Sequence, residues 1–333
     1  MTVRVRRVIL TILGVVIGAP LVTIAVVITT TALLDQTNGT IVSSGIERRY
    51  LLFVPPTYDS AKPSPLVISL HGAAAWPTQQ MHMTHWNQVA TEHRFIVVYP
   101  AARARIWRAA HPGDDPTADV RFVADLIDTL EHTYNIDRTR IYASGFSLGG
   151  GMTFVLSCTL TKRIAAVGTV SAAQALPWAW CRDRRPIPFV NFHGTSDLVP
   201  YGGGLSPDPF NPVVFPAVRT WTASWARRNG CHGSPSDSAI ATDVIATTYH
   251  GCPNGAAVLL YTIVGGGHAW PGGKPLPRWF FGRTTTSIDA TRRMWAFFQE
   301  HSIHPPNPRL EPTERGDCGM NSSSARHSSR AIR

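Results

Sequence analysis

Three residues of different type, Ser147, Asp197 and His268, each follow a short apolar run in this chain of 333 residues. A serine hydroxyl is a weak nucleophile until an adjacent base takes its proton. A histidine can be that base and can return the proton to a leaving group. An aspartate beside it can fix the imidazole tautomer and stabilise the imidazolium. Together the three types can split a carbonyl compound through a covalent acyl intermediate.

The surroundings of Ser147 fit a nucleophile. The stretch RIYASGFSLGGGMTF, residues 140–154, reads as the end of a strand joined directly to a helix. Gly149, Gly150 and Gly151 stand where that helix begins, although each glycine costs roughly 1 kcal/mol against alanine in a helix interior. A tight strand-to-helix turn accounts for them: it lifts Ser147 above the sheet and leaves no room for side chains at Gly145 and Gly149. The helix aims its N-terminal N–H groups at the place where an oxyanion would form. A Gly-x-Ser-x-Gly motif is short and also arises in plain glycine-rich turns, so the rest of the chain has to decide.

Strands and helices alternate along the body. Apolar runs at 48–55, 65–72, 94–100, 140–145, 163–172, 187–194 and 257–267 read as strands. Helical spacing marks 119–132, 148–160, 216–229 and 287–302. This alternation predicts an α/β fold with a doubly wound, mostly parallel sheet, in which ligands sit beyond the carboxyl ends of strands. Ser147, Asp197 and His268 each fall in a loop after a strand, in the chain order of the α/β-hydrolase fold. The loop HGAAAW, residues 71–76, follows an early strand where that fold supplies an oxyanion N–H. The N–H groups of Ala73 and Leu148 are therefore the expected oxyanion hole.

The blocks LHGAAA, GFSLGGGM, HGTSDLVPYGG, GCPNGAAVLLYTIVGGGHAWPGG and MWAFF resemble the polyhydroxybutyrate depolymerase-type esterases, secreted α/β-hydrolases related to feruloyl and acetylxylan esterases. The resemblance runs from about Tyr50 to Phe298. It implies Ser147 as nucleophile, Asp197 as acid, His268 as base, and an ester substrate. It also implies a Cys231–Cys252 pair flanking a short excursion. HGAAAW departs from the residues relatives often carry there, and no appended polymer-binding module is read. Sequence leaves an acyltransferase on the same triad open. A catalytically silent hydrolase-like binding protein is disfavoured, because such a module has no need of all three residues in order.

Other residues carry plainer readings. His71 and His193 precede glycines at strand ends and are expected to shape loops. His82 and His85 lack a third ligand, so no metal is expected, and the chemistry needs no cofactor. Asp114 and Asp115 read as turn residues and Asp119 as a helix cap. Trp76 and Trp270 lie near catalytic loops and are candidate substrate walls. The aromatic and basic KPLPRWFFGR, residues 274–283, is a candidate lid or membrane contact.

The ends set the expected domains: 1–34, 35–304 and 305–333. Val8 to Leu34 holds no Asp, Glu, Lys or Arg and follows Arg4, Arg6 and Arg7. A span needs about 20 apolar residues, and basic residues stay inside. The reading preferred is an uncleaved signal anchor with the body outside the cytoplasmic membrane; a cleaved signal peptide is the alternative, with Thr30–Ala32 its weak cleavage candidate. The Pro-, Ser- and Arg-rich segment 305–333 is expected to be a disordered tail. The net charge of +10 falls partly on these ends, and no basic block with interleaved aromatics marks a nucleic-acid site. Oligomeric state is not legible. The four body cysteines, Cys158, Cys181, Cys231 and Cys252, permit three pairings that sequence cannot separate; Cys231–Cys252 with Cys158–Cys181 is preferred, leaving Cys318 unpaired.

Overall fold

Continuous runs of β-branched and aromatic residues suit strands buried on both faces. In the computed structural model, which describes residues 36–183, 185–205 and 212–303, four of the runs are buried along their whole length. The expected anchor at 8–34 and tail at 305–333 lie outside the described residues. The strands are β1 (Gly39–Ser43), β2 (Ile46–Phe53), β3 (Ser64–Leu70), β4 (Ile96–Pro100), β5 (Ile136–Phe146), β6 (Ala166–Val170), β7 (Phe189–Gly194), β8 (Gly204–Leu205), β9 (Val214–Phe215), β10 (Ser236–Ala241), β11 (Val244–Tyr249) and β12 (Val258–Ile263). All but β8 and β9, which form their own ribbon, join one sheet in the order β1-β2-β4-β3-β5-β6-β7-β12-β11-β10.

The centre of this sheet, from β4 to β12, is parallel. Both margins are antiparallel, which a reading of mostly parallel strands did not specify. β1 joins β2 through Ser44 and Gly45, both at positive φ, the backbone of a tight hairpin turn. β10 is exposed along nearly all its length and carries little apolar signal.

Helices cover both faces. Val67 points to one side and Leu66, Ile68 and Leu70 to the other, as strand geometry requires. On one side pack α3 (Thr117–Thr133), α4 (Leu148–Thr159) and α5 (Val218–Arg228), with Trp225 stacked 3.8 Å from Phe189. On the other lie α1 (Pro77–Thr84), α2 (Trp86–His93) and α7 (Ala290–Gln299), with Trp295 stacked 4.0 Å from Phe95. A single turn, α6 (Arg278–Phe281), precedes α7. The sequence reading did not find α1 and α2. His85, left-handed at φ 58, separates them and breaks their helical spacing.

Asp119 is not the cap expected of it. It lies buried inside α3 and accepts from Arg48 Nη2 (2.8 Å) and the Arg108 N–H (3.0 Å). Asp115 Oδ1 accepts instead from Thr117 N–H, at the start of the helix (2.9 Å). The structure pairs Cys231 with Cys252, across the β10–β11 hairpin, and Cys158 with Cys181. Gln36 N–H and C=O both pair with Thr78 Oγ1 (3.1 and 3.1 Å), in the first turn of α1. Ile303 N–H donates to Thr139 C=O (2.9 Å), near the start of β5. Among the described residues no helix is long and apolar enough to cross a membrane.

Candidate active site

The parallel strands end in step. Leu70 is paired with Gly145, Phe146 with Val170, Val170 with Phe192, and Gly194 with Ile263. The loops after β3, β5, β7 and β12 therefore open side by side at one edge, where ligands bind in such sheets.

Ser147 links β5 to α4 with φ 53 and ψ −121. That region is sparsely populated and costs about 1–3 kcal/mol, so the surroundings must enforce it. The Ser147 N–H donates to Val170 C=O (2.9 Å), and its C=O accepts from Gly150 and Gly151 N–H (2.8 and 3.2 Å). A Cβ on Gly145 would press into the Gly149 carbonyl, and one on Gly149 into the carbonyls of Leu70 and His71. The start of α4 thus lies directly against the end of β3, which requires glycine at these two positions.

Ala73 and Leu148 line one cavity with Ser147. Among the described residues neither backbone N–H donates to a carbonyl. The Ala73 loop is held from below. His71 Nε2 accepts from Ala102 N–H (3.1 Å), its Nδ1 lies 2.7 Å from Gly72 C=O, and Trp107 Nε1 donates to His71 C=O (2.9 Å). Both ring nitrogens of His71 thereby serve the backbone.

Asp197 and His268, 71 residues apart in sequence, meet through a 2.6 Å hydrogen bond from His268 Nδ1 to Asp197 Oδ1. The same oxygen accepts from Val199 N–H (2.8 Å), so the carboxylate shapes its own turn while holding the imidazole. Burial pushes the Asp197 carboxyl up, but the hydrogen bond and charge of His268, with His193 and Ser171, outweigh it and hold the group below the usual range. Among the described residues its Oδ2 has no hydrogen-bond partner; it lies 3.6 Å from His193 Nε2, which itself faces Val199 C=O at 2.9 Å. Burial holds the His193 imidazole down, against the pull of Asp197. The His268 ring lies between Phe146 (4.8 Å) and Phe281 (6.1 Å). The His268 backbone N–H donates to Phe281 C=O (2.6 Å).

Ser147 and His268 line one cavity of about 370 Å³, together with Ala73, Phe280 and Phe281. The RWFF segment thus borders the site, with Phe280 and Phe281 on the cavity and Trp279 88% exposed. Trp270, expected as a wall, is instead core: it is 1% exposed and donates from Nε1 to Thr291 Oγ1 (2.9 Å). Trp76 stacks under Arg105, 4.8 Å from guanidinium carbon to ring, and lines neither cavity beside Ser147. Sequence reasoning missed Phe146, although the motif places it next to Ser147. It also missed His111, which lines the cavity on the Leu148 side and lies in a Pro/Gly loop without periodic signal. Among the described residues no group of His, Cys, Asp and Glu is arranged to hold a metal ion.

This architecture is the α/β-hydrolase fold. It is shared with a solved acetyl xylan esterase from Aspergillus awamori, at a TM-score of 0.56 and 14% identity over 78% of this chain and 98% of that one. Residues 48–175 match the family described as Esterase PHB depolymerase. A feruloyl esterase B of Piromyces equi is 32% identical over 235 residues, 68% of this chain and 44% of that protein. A bifunctional acetylxylan esterase/xylanase of Neocallimastix patriciarum is 36% identical over 136 residues, 41% of this chain and 20% of that protein. The chain spans less than half the length of either relative.

Proposed function

We propose that the protein is a carboxylic ester hydrolase that works through an acyl-enzyme on Ser147. The observation that carries this reading is the 2.6 Å Asp197–His268 bond beside a serine on a strained corner, with Ser147 and His268 facing one cavity. Ser147 Oγ attacks the carbonyl carbon as His268 Nε2 takes its proton. The carbonyl oxygen becomes an anion held by the Ala73 and Leu148 N–H groups, a contribution of about 2.7–4 kcal/mol per donor in well-studied cases. Asp197 stabilises the imidazolium. The alcohol leaves with the proton, and water repeats the sequence to free the acid.

The substrates proposed are short hydroxyalkanoate, aromatic or acetyl esters; names of the relatives support aromatic and acetyl acyl groups. The uncharged run at 8–34 supports a membrane anchor with the body extracytoplasmic. Reaction of Ser147 with a fluorophosphonate, and its loss in Ser147→Ala together with hydrolysis of p-nitrophenyl butyrate, tests the chemistry. An unlabelled wild type refutes it. Retention of the full chain in carbonate-washed membranes tests the anchor; a soluble form starting near Leu33 refutes it.

A further inference from the structure

Ser147 stands where two cavities meet. The first, of about 270 Å³, is lined by small and apolar side chains, among them Ile106, Ala109, Ala175 and Phe215. The second, of about 370 Å³, is lined by Met83, Leu276, Phe280, Phe281 and His268. Ala73, Ser147 and Val199 line both. Leu148 lines the first alone and His268 the second alone.

The tetrahedral centre formed on Ser147 has four substituents: Oγ, the oxyanion, the leaving oxygen and the acyl carbon. The leaving oxygen must reach the proton on His268, or the bond from carbon to that oxygen cannot break with an alcohol departing. The alcohol therefore extends into the cavity that His268 lines. The oxyanion points to the Ala73 and Leu148 N–H groups. The acyl body is left with the direction away from His268, into the first cavity.

We infer that the site is divided at Ser147 into an acyl arm, the 270 Å³ cavity, and a leaving-alcohol arm, the 370 Å³ cavity, and that His111 reads a polar group on the acyl body. The assignment rests on Ser147 and His268 acting as proposed above. At roughly 30 Å³ for each water-sized atom, the acyl arm holds about nine heavy atoms and the alcohol arm about twelve. A long fatty acyl chain exceeds this volume; a short or single-ring acyl group does not. The alcohol arm, with three phenylalanines, two leucines and a methionine, accepts a bulky, partly apolar alcohol.

Apart from Ser147, His111 is the polar side chain among the described residues lining the acyl arm. Asp114 Oδ2 lies 3.7 Å from its Nδ1 and accepts from the Ala110 and His111 N–H groups (2.7 and 2.9 Å). That carboxylate fixes the turn that carries the ring, and no described residue is hydrogen-bonded to Nε2. A hydroxyl on the acyl body is the kind of group that His111, as the polar side chain lining this arm beside Ser147, would bond.

The test uses the full chain in detergent and two ester series. One fixes methanol as the alcohol and varies the acyl group from acetyl to palmitoyl, with 3-phenylpropenoyl esters bearing or lacking a 4-hydroxyl. The other fixes acetyl and varies the alcohol from methanol to 1-naphthol. In the wild type, kcat/KM should fall steeply for acyl bodies beyond about nine heavy atoms. Ala175→Phe, which fills the acyl arm from a partly exposed position, should move that limit to shorter chains and leave the naphthyl-to-methyl ratio alone. Phe280→Ala should change the naphthyl-to-methyl ratio and leave the acyl limit alone. His111→Leu should lower the preference for the 4-hydroxyl ester about fivefold, the scale of one hydrogen bond. Crosswise effects of Ala175→Phe and Phe280→Ala, or palmitate cleaved as fast as butyrate, overturn the arm assignment while the esterase reading stands. An unchanged hydroxyl preference in His111→Leu overturns the role of His111. A wild type that cleaves no ester overturns the proposed function and this assignment with it.

Discussion

Asp197→Asn isolates the charge of the carboxylate from its shape. Oδ1 accepts from both Val199 N–H (2.8 Å) and His268 Nδ1 (2.6 Å), so the amide oxygen of asparagine takes that place and the turn survives. The amide nitrogen falls at Oδ2, which has no hydrogen-bond partner among the described residues. What disappears is the negative charge facing the imidazolium that forms during attack. The side chains are 0% exposed for Asp197 and 7% for His268, so water screens the pair little. Two unit charges about 4 Å apart interact by about 4 kcal/mol at an effective dielectric near 20. Each 1.36 kcal/mol of barrier is tenfold in rate, so kcat should fall about a thousandfold. Steady-state hydrolysis of p-nitrophenyl butyrate measures the loss, and thermal unfolding checks that the fold is kept. A loss under tenfold in a folded variant would refute the assignment of Asp197 as the acid behind His268.

Three further outcomes follow from the packing. Burial holds the His301 imidazole at about 4, against 6.5 when exposed. Between those values the unfolded chain binds a proton that the folded chain refuses, so Tm falls as pH drops from 6.5 towards 4. His301→Phe keeps the backbone carbonyl that accepts from Tyr142 Oη (2.8 Å) and should flatten this fall; buried His193 acts in the same direction and leaves part of it, and a slope equal to the parent's would count against the argument. Gly149→Ala should cost about 1–3 kcal/mol or more in urea unfolding, because its methyl meets backbone carbonyls that cannot rotate away; an unshifted midpoint would show that the elbow has slack. Cys231→Ala with Cys252→Ala opens a link of 21 residues and should cost about 3 kcal/mol in the same assay, while equal midpoints would mean the pair contributes nothing.

The strands at the centre of the sheet were readable because burial on both faces demands unbroken apolar runs, as in Ile96–Pro100. The loops holding Ser147, Asp197 and His268 followed from where those runs stop. The margins were less readable for the opposite reason. Strand β10, Ser236–Ala241, packs on little and so carries no pattern, and α1 and α2 hide theirs across the left-handed turn at His85. Trp270 misled because nearness in sequence to His268 does not fix direction: the ring turns into the core towards Thr291. His111 reaches the site from a loop 36 residues before Ser147, a proximity that only tertiary structure creates.

The described chain enters and leaves at very different distances from the chemistry. Gln36 is clasped by Thr78, in the first turn of the helix leading out of the Ala73 loop. Ile303 is tied to Thr139, roughly 23 Å along β5 from Phe146 at about 3.3 Å per residue. Cargo joined ahead of Gln36 therefore emerges beside the helix that leads out of the Ala73 loop. Cargo joined after Ile303 emerges near the opposite end of the strands. For coupling this protein to a bead or a reporter, the end after Ile303 is the handle farther from the Ser147 edge of the sheet.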